Sequence, residues 1–595
     1  MHRPGPPSRR VPGAVLAAVV LLLALLPLSD RVASAAPPAG QRAFPRITLP
    51  HAARGEEALQ LLGSSLPEVA AWYGKTPEQF VELLRRDESA VIDSDGRLLY
   101  IDDFPTHPPV GDEVGPRSRA QPEAAPFPYA DTFRLHSRPG AQRTIYMDFD
   151  GHTVTGTQWN KDSGLDTINA PAFDIDGNAA AFSENELLRI QLAWQRAAED
   201  YAPFDVDVTT EDPGAAALER SSANDAAFGS RAVITRLFKN SAGKNFCNCG
   251  GIAYIGVFNE VGGAYHQPAW VFYDQLGGGD EKDIGEATAH EVGHNLGLSH
   301  DGAEVNGTHV EYYAGHGVGD TAWAPIMGVG YYRNLTQWSQ GEYPNANNQE
   351  DDIQIIQNHE APLRADDHVP VAPLGLTGGT SIMEFVGSGV IERRTDVDYF
   401  SLPCNGADLT ISVLPADPGP NLDVALDLLD RTFAPLGGVN PPNQLSATLP
   451  WSNTPSGNCI LKVQGIDRPG PAASDAGYSD YGSLGQYHIS VQSVPQIQKL
   501  RAASVVNELL LSDDNYQLVV RRSGKGTVRS APAGIACGKD CNNDFPDYGV
   551  VKLVAKPAAG WKFDHWGAAC KNATTNVCKV KLTKNSLVNA YFTVQ

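Results

Sequence analysis

The chain has 595 residues, 42% hydrophobic and 19% charged, with 69 acidic side chains against 46 basic ones and a formal net charge of −23. That length allows about four units of ordinary domain size, and the composition supports packed cores and excludes wholesale disorder. A surface this acidic repels phosphate backbones and sets nucleic-acid binding aside.

Residues 1–35 have the order of a secretory signal peptide. Arg3, Arg9 and Arg10 precede the apolar run Ala14–Leu26, and Ala33, Ser34 and Ala35 offer a small-residue cleavage site. The run breaks at Pro27 and is short for a bilayer span. No later segment is apolar enough to cross a membrane, and no cysteine near the cleavage point indicates a lipid anchor. A secreted, extracellular protein is the expectation, and the acidity then reads as solubility. Eight cysteines, an even number, suit disulfides in that compartment. Their spacing suggests Cys404 with Cys459 and two local bridges among Cys537, Cys541, Cys570 and Cys578. Cys247 and Cys249 lie two apart in "FCNCGG", where a bridge would be strained. Free thiols or a second metal site are the alternatives there.

Residues 36–130 read as a separate propeptide or leader ending in a linker. "TPEQFVELLRR" carries a capping box, Thr76 with Gln79, with Pro77 at the first helical position. Phe80, Leu83 and Leu84 give that helix an apolar face. "RDESAVIDSDGRLLYIDD" predicts a hairpin of short strands around Asp95-Gly96. The Pro-rich, charged stretch "FPTHPPVGDEVGPRSRAQPEAAPFP" has linker composition and offers a processing site.

Residues 131–368 follow an α/β order. "RTIYMDFDGHTV" alternates as a strand. "SENELLRIQLAWQRAAEDYAPF" predicts a helix capped by Ser183 and Glu186, with Leu187, Ile190, Trp194 and Ala197 or Ala198 as its buried stripe. "DVDVTT" and "RAVITRLF" read as further strands. From residue 369 the helical periodicity stops. Short alternating runs with Gly, Pro, Asn and Asp between them predict a β-sandwich over 369–495. A helical or irregular connector covers 496–515, and a small β repeat domain covers 516–595. The fold class is therefore multidomain, an α/β catalytic domain followed by two all-β modules.

The densest chemistry is "HEVGHNLGLSH", His290 to His300. On a helix ending at Gly297, His290 and His294 are i, i+4 neighbours that reach one ion. Glu291 points beside that ion, where a carboxylate polarises bound water. Gly297 can take a left-handed backbone and turn the chain, bringing His300 back as a third nitrogen ligand. Three histidines leave a fourth tetrahedral position for water, as in catalytic rather than structural zinc sites.

This HExxHxxGxxH pattern resembles the metzincin zinc peptidases. The resemblance implies His290, His294 and His300 as zinc ligands, Glu291 as general base and Gly297 as the turn. Asp301 follows the last histidine, as in the adamalysin-like (reprolysin) branch. Only four methionines are present, and Met327 in "APIMGVG", 27 residues after His300, fits the methionine turn beneath the metal. Val329 stands where astacin-like and serralysin-like members place a tyrosine two residues after that methionine, and neither Tyr331 nor Tyr332 is assigned its role. The leader has no cysteine for a cysteine-switch latency. An acidic residue such as Asp102 or Asp103 could block the zinc instead. "IYMDFDGH", "AAEDYAPFDVDVTTEDP", "GGIAYIGVF" and "WSQGEYPNANNQEDDIQII" resemble a bacterial secreted branch. "DVDYFSLPCNGADLTISVLPADPGPNLDVALDLLD" resembles a bacterial pre-peptidase C-terminal domain. "PAGIACGKDC" and "AKPAAGWKFDHWGAAC" resemble a divergent InlB-type B-repeat.

The expectation is a secreted zinc endopeptidase, made as a precursor and acting on proteins or peptides, with surface attachment a candidate role for the β modules. Calcium is a candidate second metal at the acidic turns Asp148–Gly151 and Asp174–Asn178, though solvated turns are the plainer reading. His152 and His266 read as structural or surface histidines. Two rival readings stay open. One is a surface-binding or adhesive protein with a vestigial metal site, against which the intact Glu291 speaks. The other is zinc hydrolysis of a substrate other than protein.

Overall fold

Thr76 starts the best-defined leader helix as its sequence predicts. Its side chain accepts from the Gln79 N–H at 3.2 Å, while Gln79 Oε1 accepts from the Thr76 N–H at 2.8 Å. In this computed structural model the described residues are 43–103, 125–305, 307–368, 371–376, 383–469, 477–494, 515–531, 534–538, 541–546, 550–582 and 584–595. The signal peptide, nearly all of the Pro-rich linker and all but the last residue of the 496–515 connector lie outside them. Helices α1 (Gly55–Leu62), α2 (Leu66–Trp72) and α3 (Pro77–Arg86) bury Leu62, Val69, Phe80 and Leu84 in one small core. Leu83 is only partly buried. Strands β1 (Ala90–Ile92) and β2 (Leu98–Asp102) form the expected hairpin.

That hairpin does not stand apart, and here the expected separate leader is corrected. Residues 131–368 contribute β3 (Arg143–Asp148), a small pair β4 (His152–Thr155) and β5 (Thr167–Ala170), β6 (Val206–Thr209), β7 (Phe228–Thr235), β8 (Gly251–Tyr254) and β9 (Ala269–Phe272). One seven-stranded sheet runs β1-β2-β8-β9-β7-β3-β6. Its β6, β3, β7 and β9 pair in parallel, β8 turns antiparallel, and β2 adds antiparallel to β8 with Asp102 opposite Gly251. The sequence signal for a hairpin is local, whereas the bare edge that it pairs with is set by the rest of the sheet.

Helices α4 (Gln158–Ser163), α5 (Glu184–Asp200), α6 (Ala215–Leu218), α7 (Glu281–Asn295) and α8 (Asp352–Asn358) complete the region. Ser183 and Glu186 cap α5 reciprocally. Its buried face is wider than the expected stripe. Leu188, Gln191 and Leu192 are buried with Ile190, Trp194, Ala197 and Ala198, while Leu187 is only partly so. The reason is that α5 packs on α7 and also meets the β-sandwich.

The sandwich has two five-stranded sheets. Asp398–Pro403 alternates buried and half-buried residues along its length, and Leu402, Ile411, Leu426, Leu461 and Val491 fill the space between the sheets. The C-terminal unit, Gln496–Gln595, holds two four-stranded sheets around Val520, Leu553 and Val588. Cys404 pairs with Cys459, Cys537 with Cys541 and Cys570 with Cys578, as the spacing suggests. Cys247 and Cys249 are also bridged, which removes the free-thiol and metal-site alternatives.

The sandwich docks on the end of α5 through polar groups. Gln486 donates from its backbone N–H and its side-chain amide to the Glu199 carboxylate, each at 2.9 Å. Asn421 donates to Asp200 Oδ1 at 2.9 Å and accepts from Gln337 at 2.6 Å through its carbonyl. Burial raises Glu199 to about 7 despite these bonds. A carboxyl raised on folding contributes most stability below its unfolded pKa, and that contribution fades as pH rises through the folded value. The melting temperature of Glu199→Gln should therefore match the parent near pH 5 and exceed it by several degrees near pH 8. Equal pH profiles would show that Glu199 carries no such linkage.

Candidate metal centre

Helix α7 starts where Asp280 accepts from the Lys282 N–H at 3.1 Å and runs through the histidine motif. Its pitch sets His290 and His294 on one face, with ring centroids 4.8 Å apart. Gly297 has φ of +94°, the left-handed turn expected of it, and a Cβ there would strike the His359 ring. The chain returns with His300, whose Nε2 lies 3.1 Å from that of His294. Tetrahedral coordination by two imidazoles sets their nitrogens about 3.3 Å apart, so this spacing suits a shared ion.

The outer ring nitrogens decide which atoms face inward. His290 Nδ1 donates to the Ile326 carbonyl at 2.9 Å, His294 Nδ1 to the Leu298 carbonyl at 2.8 Å and His300 Nδ1 to Asp87 Oδ2 at 2.8 Å. Each bond places a proton on Nδ1 and turns the Nε2 atom toward the common centre, as metal-ligating histidines require. The three rings are at most 6% exposed. Burial lowers the pKa of His290 and His294, which favours their neutral form. The donor set and its outer anchors fit zinc.

The other motif residues gather round this centre. Met327 is fully buried, and a Cβ on Gly293, between the two helical histidines, would come 2.6 Å from its Sδ. The Met327 carbonyl accepts from the Asp301 N–H at 2.8 Å. Asp301 is raised to about 8 by burial and by Glu350, and Tyr343 donates to the adjacent Gly302 carbonyl at 2.8 Å. Glu291 is fully buried beside His290, and burial together with Asp102 holds its carboxyl well above the usual range.

The structure places four further groups that the motif does not contain. Asp102, at the end of β2, reaches into the histidine cluster with 0% exposure. Its Oδ1 lies 3.1 Å from His300 Nε2, and its Oδ2 lies 3.3 Å from His294 Nε2 and 3.8 Å from His290 Nε2. These four residues group as one candidate cation site. Asp103 is exposed and takes no part. The period of two along a strand puts Tyr100 on the same face as Asp102, where its ring lies 4.4 Å from that of His294 and 4.3 Å from that of His300. Asp87, also from the leader, is the Nδ1 partner of His300 already named. Tyr312 donates to Asp102 Oδ1 at 3.0 Å. Burial alone would lower His300, but Asp87 and Asp102 outweigh it and hold the imidazole at about 10. Burial would likewise raise Asp102, and His300 and His294 keep it well below the usual carboxylate range. Beside this cluster, a cavity of about 690 Å³ opens between α3 and the third histidine, lined by Lys75, Glu82, Asp87, Tyr100, His300 and Glu350 among others.

At one of the acidic turns Asp174, Asp176 and Glu186 come close enough to share a cation, and each also serves the local backbone. Asp174 accepts from the Gly177 N–H at 2.6 Å, Asp176 from the Asn178 N–H at 2.9 Å, and neighbouring Glu186 caps α5. His266 is buried against Tyr254, and half-buried His152 lies 3.7 Å from Asp148. Tyr331 is buried and Tyr332 is half-buried.

Comparison with known proteins bears on two stretches. Residues 516–595 match the model of the divergent InlB B-repeat domain. No curated protein matches the chain. Among solved structures it is similar to the pre-peptidase C-terminal domain of collagenase from Bacillus anthracis, 15% identical over 22% of this chain and 97% of that one, with a TM-score of 0.14. It is also similar to PliG of Aeromonas hydrophila, a periplasmic inhibitor of g-type lysozyme, 12% identical over 21% of this chain and 95% of that one, with a TM-score of 0.14. Scores of that size carry no argument. Residues 179–301 match the model of the reprolysin-like metallo-peptidase family M12B. That stretch spans α5, α7 and all three histidines, and it supports a zinc-dependent metallopeptidase in general terms.

Proposed function

We propose that the chain is a secreted zinc endopeptidase made as a latent precursor, with His290, His294 and His300 as the zinc ligands and Glu291 as general base. The observation that carries this reading is the convergence of three Nε2 atoms whose Nδ1 partners all lie outside the cluster. Zinc held there supplies Lewis acidity and a bound water of lowered pKa. Glu291, buried beside His290, would accept a proton from the attacking water as its oxygen bonds to the peptide carbonyl carbon, and would pass that proton to the amine as the C–N bond breaks. The Ile326 and Leu298 carbonyls orient the first two ligands, Met327 packs beneath them at Gly293, and Gly297 and Asp301 hold the turn that returns the third.

Latency follows from the leader in this reading. Strand β2 occupies the edge of β8, where an extended substrate would add as a strand, and Asp102 sits among the ligand nitrogens. Burial holds the Glu291 carboxyl above its usual range and Asp102 adds to that, which opposes its action as a base while the leader is in place. Cutting within 104–124 would release β2 and free both. The β modules then serve folding, export or attachment to a surface or substrate.

Glu291→Ala should retain zinc and lose about 10²–10⁴-fold in kcat on casein, the range for a general base. His294→Ala should lose zinc and hydrolysis together. A folded parent that binds no zinc would defeat the proposal and favour a binding protein with a vestigial site. Asp102→Ala should raise hydrolysis by the uncut chain at least about tenfold, which corresponds to roughly 1.4 kcal/mol of lost latch contacts. An uncut parent as active as the cut enzyme would remove the latch from the account.

A further inference from the structure

A carboxylate among the ligand nitrogens is more than a plug. Asp102 presents one carbon bearing two oxygens at the point where a peptide under hydrolysis presents the same arrangement. It arrives on a strand antiparallel to β8, the direction available to a bound substrate. Its Oδ2 faces His290 and His294. Its Oδ1 accepts from Tyr312 at 3.0 Å. What the chain offers to Oδ1 is what it can offer to a substrate oxygen there.

Tyr312 lies in the 131–368 region. The leader touches it at Ser89 and bonds neighbouring Glu311 through the Glu88 N–H at 2.6 Å, while the backbone that follows it is held within its own region. The next residue, Tyr313, donates its N–H to the Asp301 carbonyl at 2.7 Å and accepts the Val329 N–H at 3.0 Å. Asp301 directly follows the third histidine, and Val329 lies two residues beyond Met327. The backbone beside Tyr312 is thus tied to both halves of the centre. Its ring rests on His300, with centroids 4.7 Å apart, and the residue is only 8% exposed. Val329 itself has no hydroxyl to offer.

We propose that Tyr312 is a catalytic residue of the mature enzyme, whose hydroxyl donates a hydrogen bond to the scissile carbonyl oxygen as that oxygen becomes negative. This rests on the peptidase reading above. The hydroxyl keeps its proton throughout. The water oxygen forms the new C–O bond, the C–N bond breaks, and the travelling proton goes by Glu291 to the amine. A donor already aimed at the developing charge, in a buried site, gains strength in the transition state over the ground state.

The test compares the parent and Tyr312→Phe as full-length chains, each activated by limited proteolysis within 104–124. Zinc content and melting temperature are measured first, then kcat and KM on a fluorogenic peptide. Calorimetric affinity for a phosphinic pseudopeptide, which mimics the tetrahedral carbon and its two oxygens, is measured alongside. The expected result is unchanged zinc, KM within about twofold, kcat lower by about 10²–10³-fold as for a single oxyanion donor, and pseudopeptide affinity weakened in parallel. Unchanged kcat and pseudopeptide affinity, with only the uncut variant becoming less latent, would overturn the proposal and leave Tyr312 as a prop for Asp102. If the Phe ring disturbs zinc binding, 3-fluorotyrosine at 312 retains ring and hydroxyl. Its stronger donation should then tighten the pseudopeptide, and unaltered affinity would count against the role. A parent that holds zinc but hydrolyses nothing after activation would instead sink the peptidase reading itself.

Discussion

Three imidazole lone pairs meeting in a buried space require a positive charge between them. Everything around His290, His294 and His300 follows from that demand. The Ile326 and Leu298 carbonyls fix two rings with their donors facing outward, and Asp87 fixes the third. Helix α7 is buried along almost its whole length to keep water from the cluster. Its Gly293 allows Met327 to pack directly beneath. At His300 Asp87 and Asp102 outweigh burial and hold the imidazole above its usual range, while His300 and His294 hold Asp102 well below the carboxylate range. The leader and the histidines are thus bound by one electrostatic unit, and neither half is comfortable alone.

The same unit explains the shape of the leader. A β8 edge left bare would expose unpaired backbone groups. Strand β2 pairs that edge, and its period of two then delivers Tyr100 and Asp102 to the cluster together. Cleavage in the linker would return both the edge and the ligand nitrogens to a substrate. On the proposed reading, substrate and leader would compete for one strand position and one carboxylate position, which is the physical basis for the role proposed for Tyr312.

How much of this was legible in the sequence depends on the range of each signal. The caps at Thr76 and Ser183, the i, i+4 histidines and the positive-φ Gly297 are local, and they stand as the residue order predicts. The alternating strands after residue 369 were legible as a sandwich for the same reason. What the sequence could not supply is long-range pairing. Asp102 and Asp103 are equivalent in composition, and only the register of β2 on β8 separates the buried one from the exposed one. Asp87 and Tyr312 carry no motif at all, and their contacts with His300 and Asp102 span more than two hundred residues. The wide buried face of α5 has a similar cause, because Glu199 and Asp200 are covered and bonded by Gln486 and Asn421 from the sandwich.

The central claim is that these three histidines together hold one zinc ion. X-ray absorption at the zinc edge, on the purified full-length chain, reads the ligands directly. Three imidazoles and one light oxygen donor, with the oxygen contribution altered in Asp102→Ala, is the result expected here. A spectrum with sulfur ligands, or with fewer than three imidazoles, would contradict it.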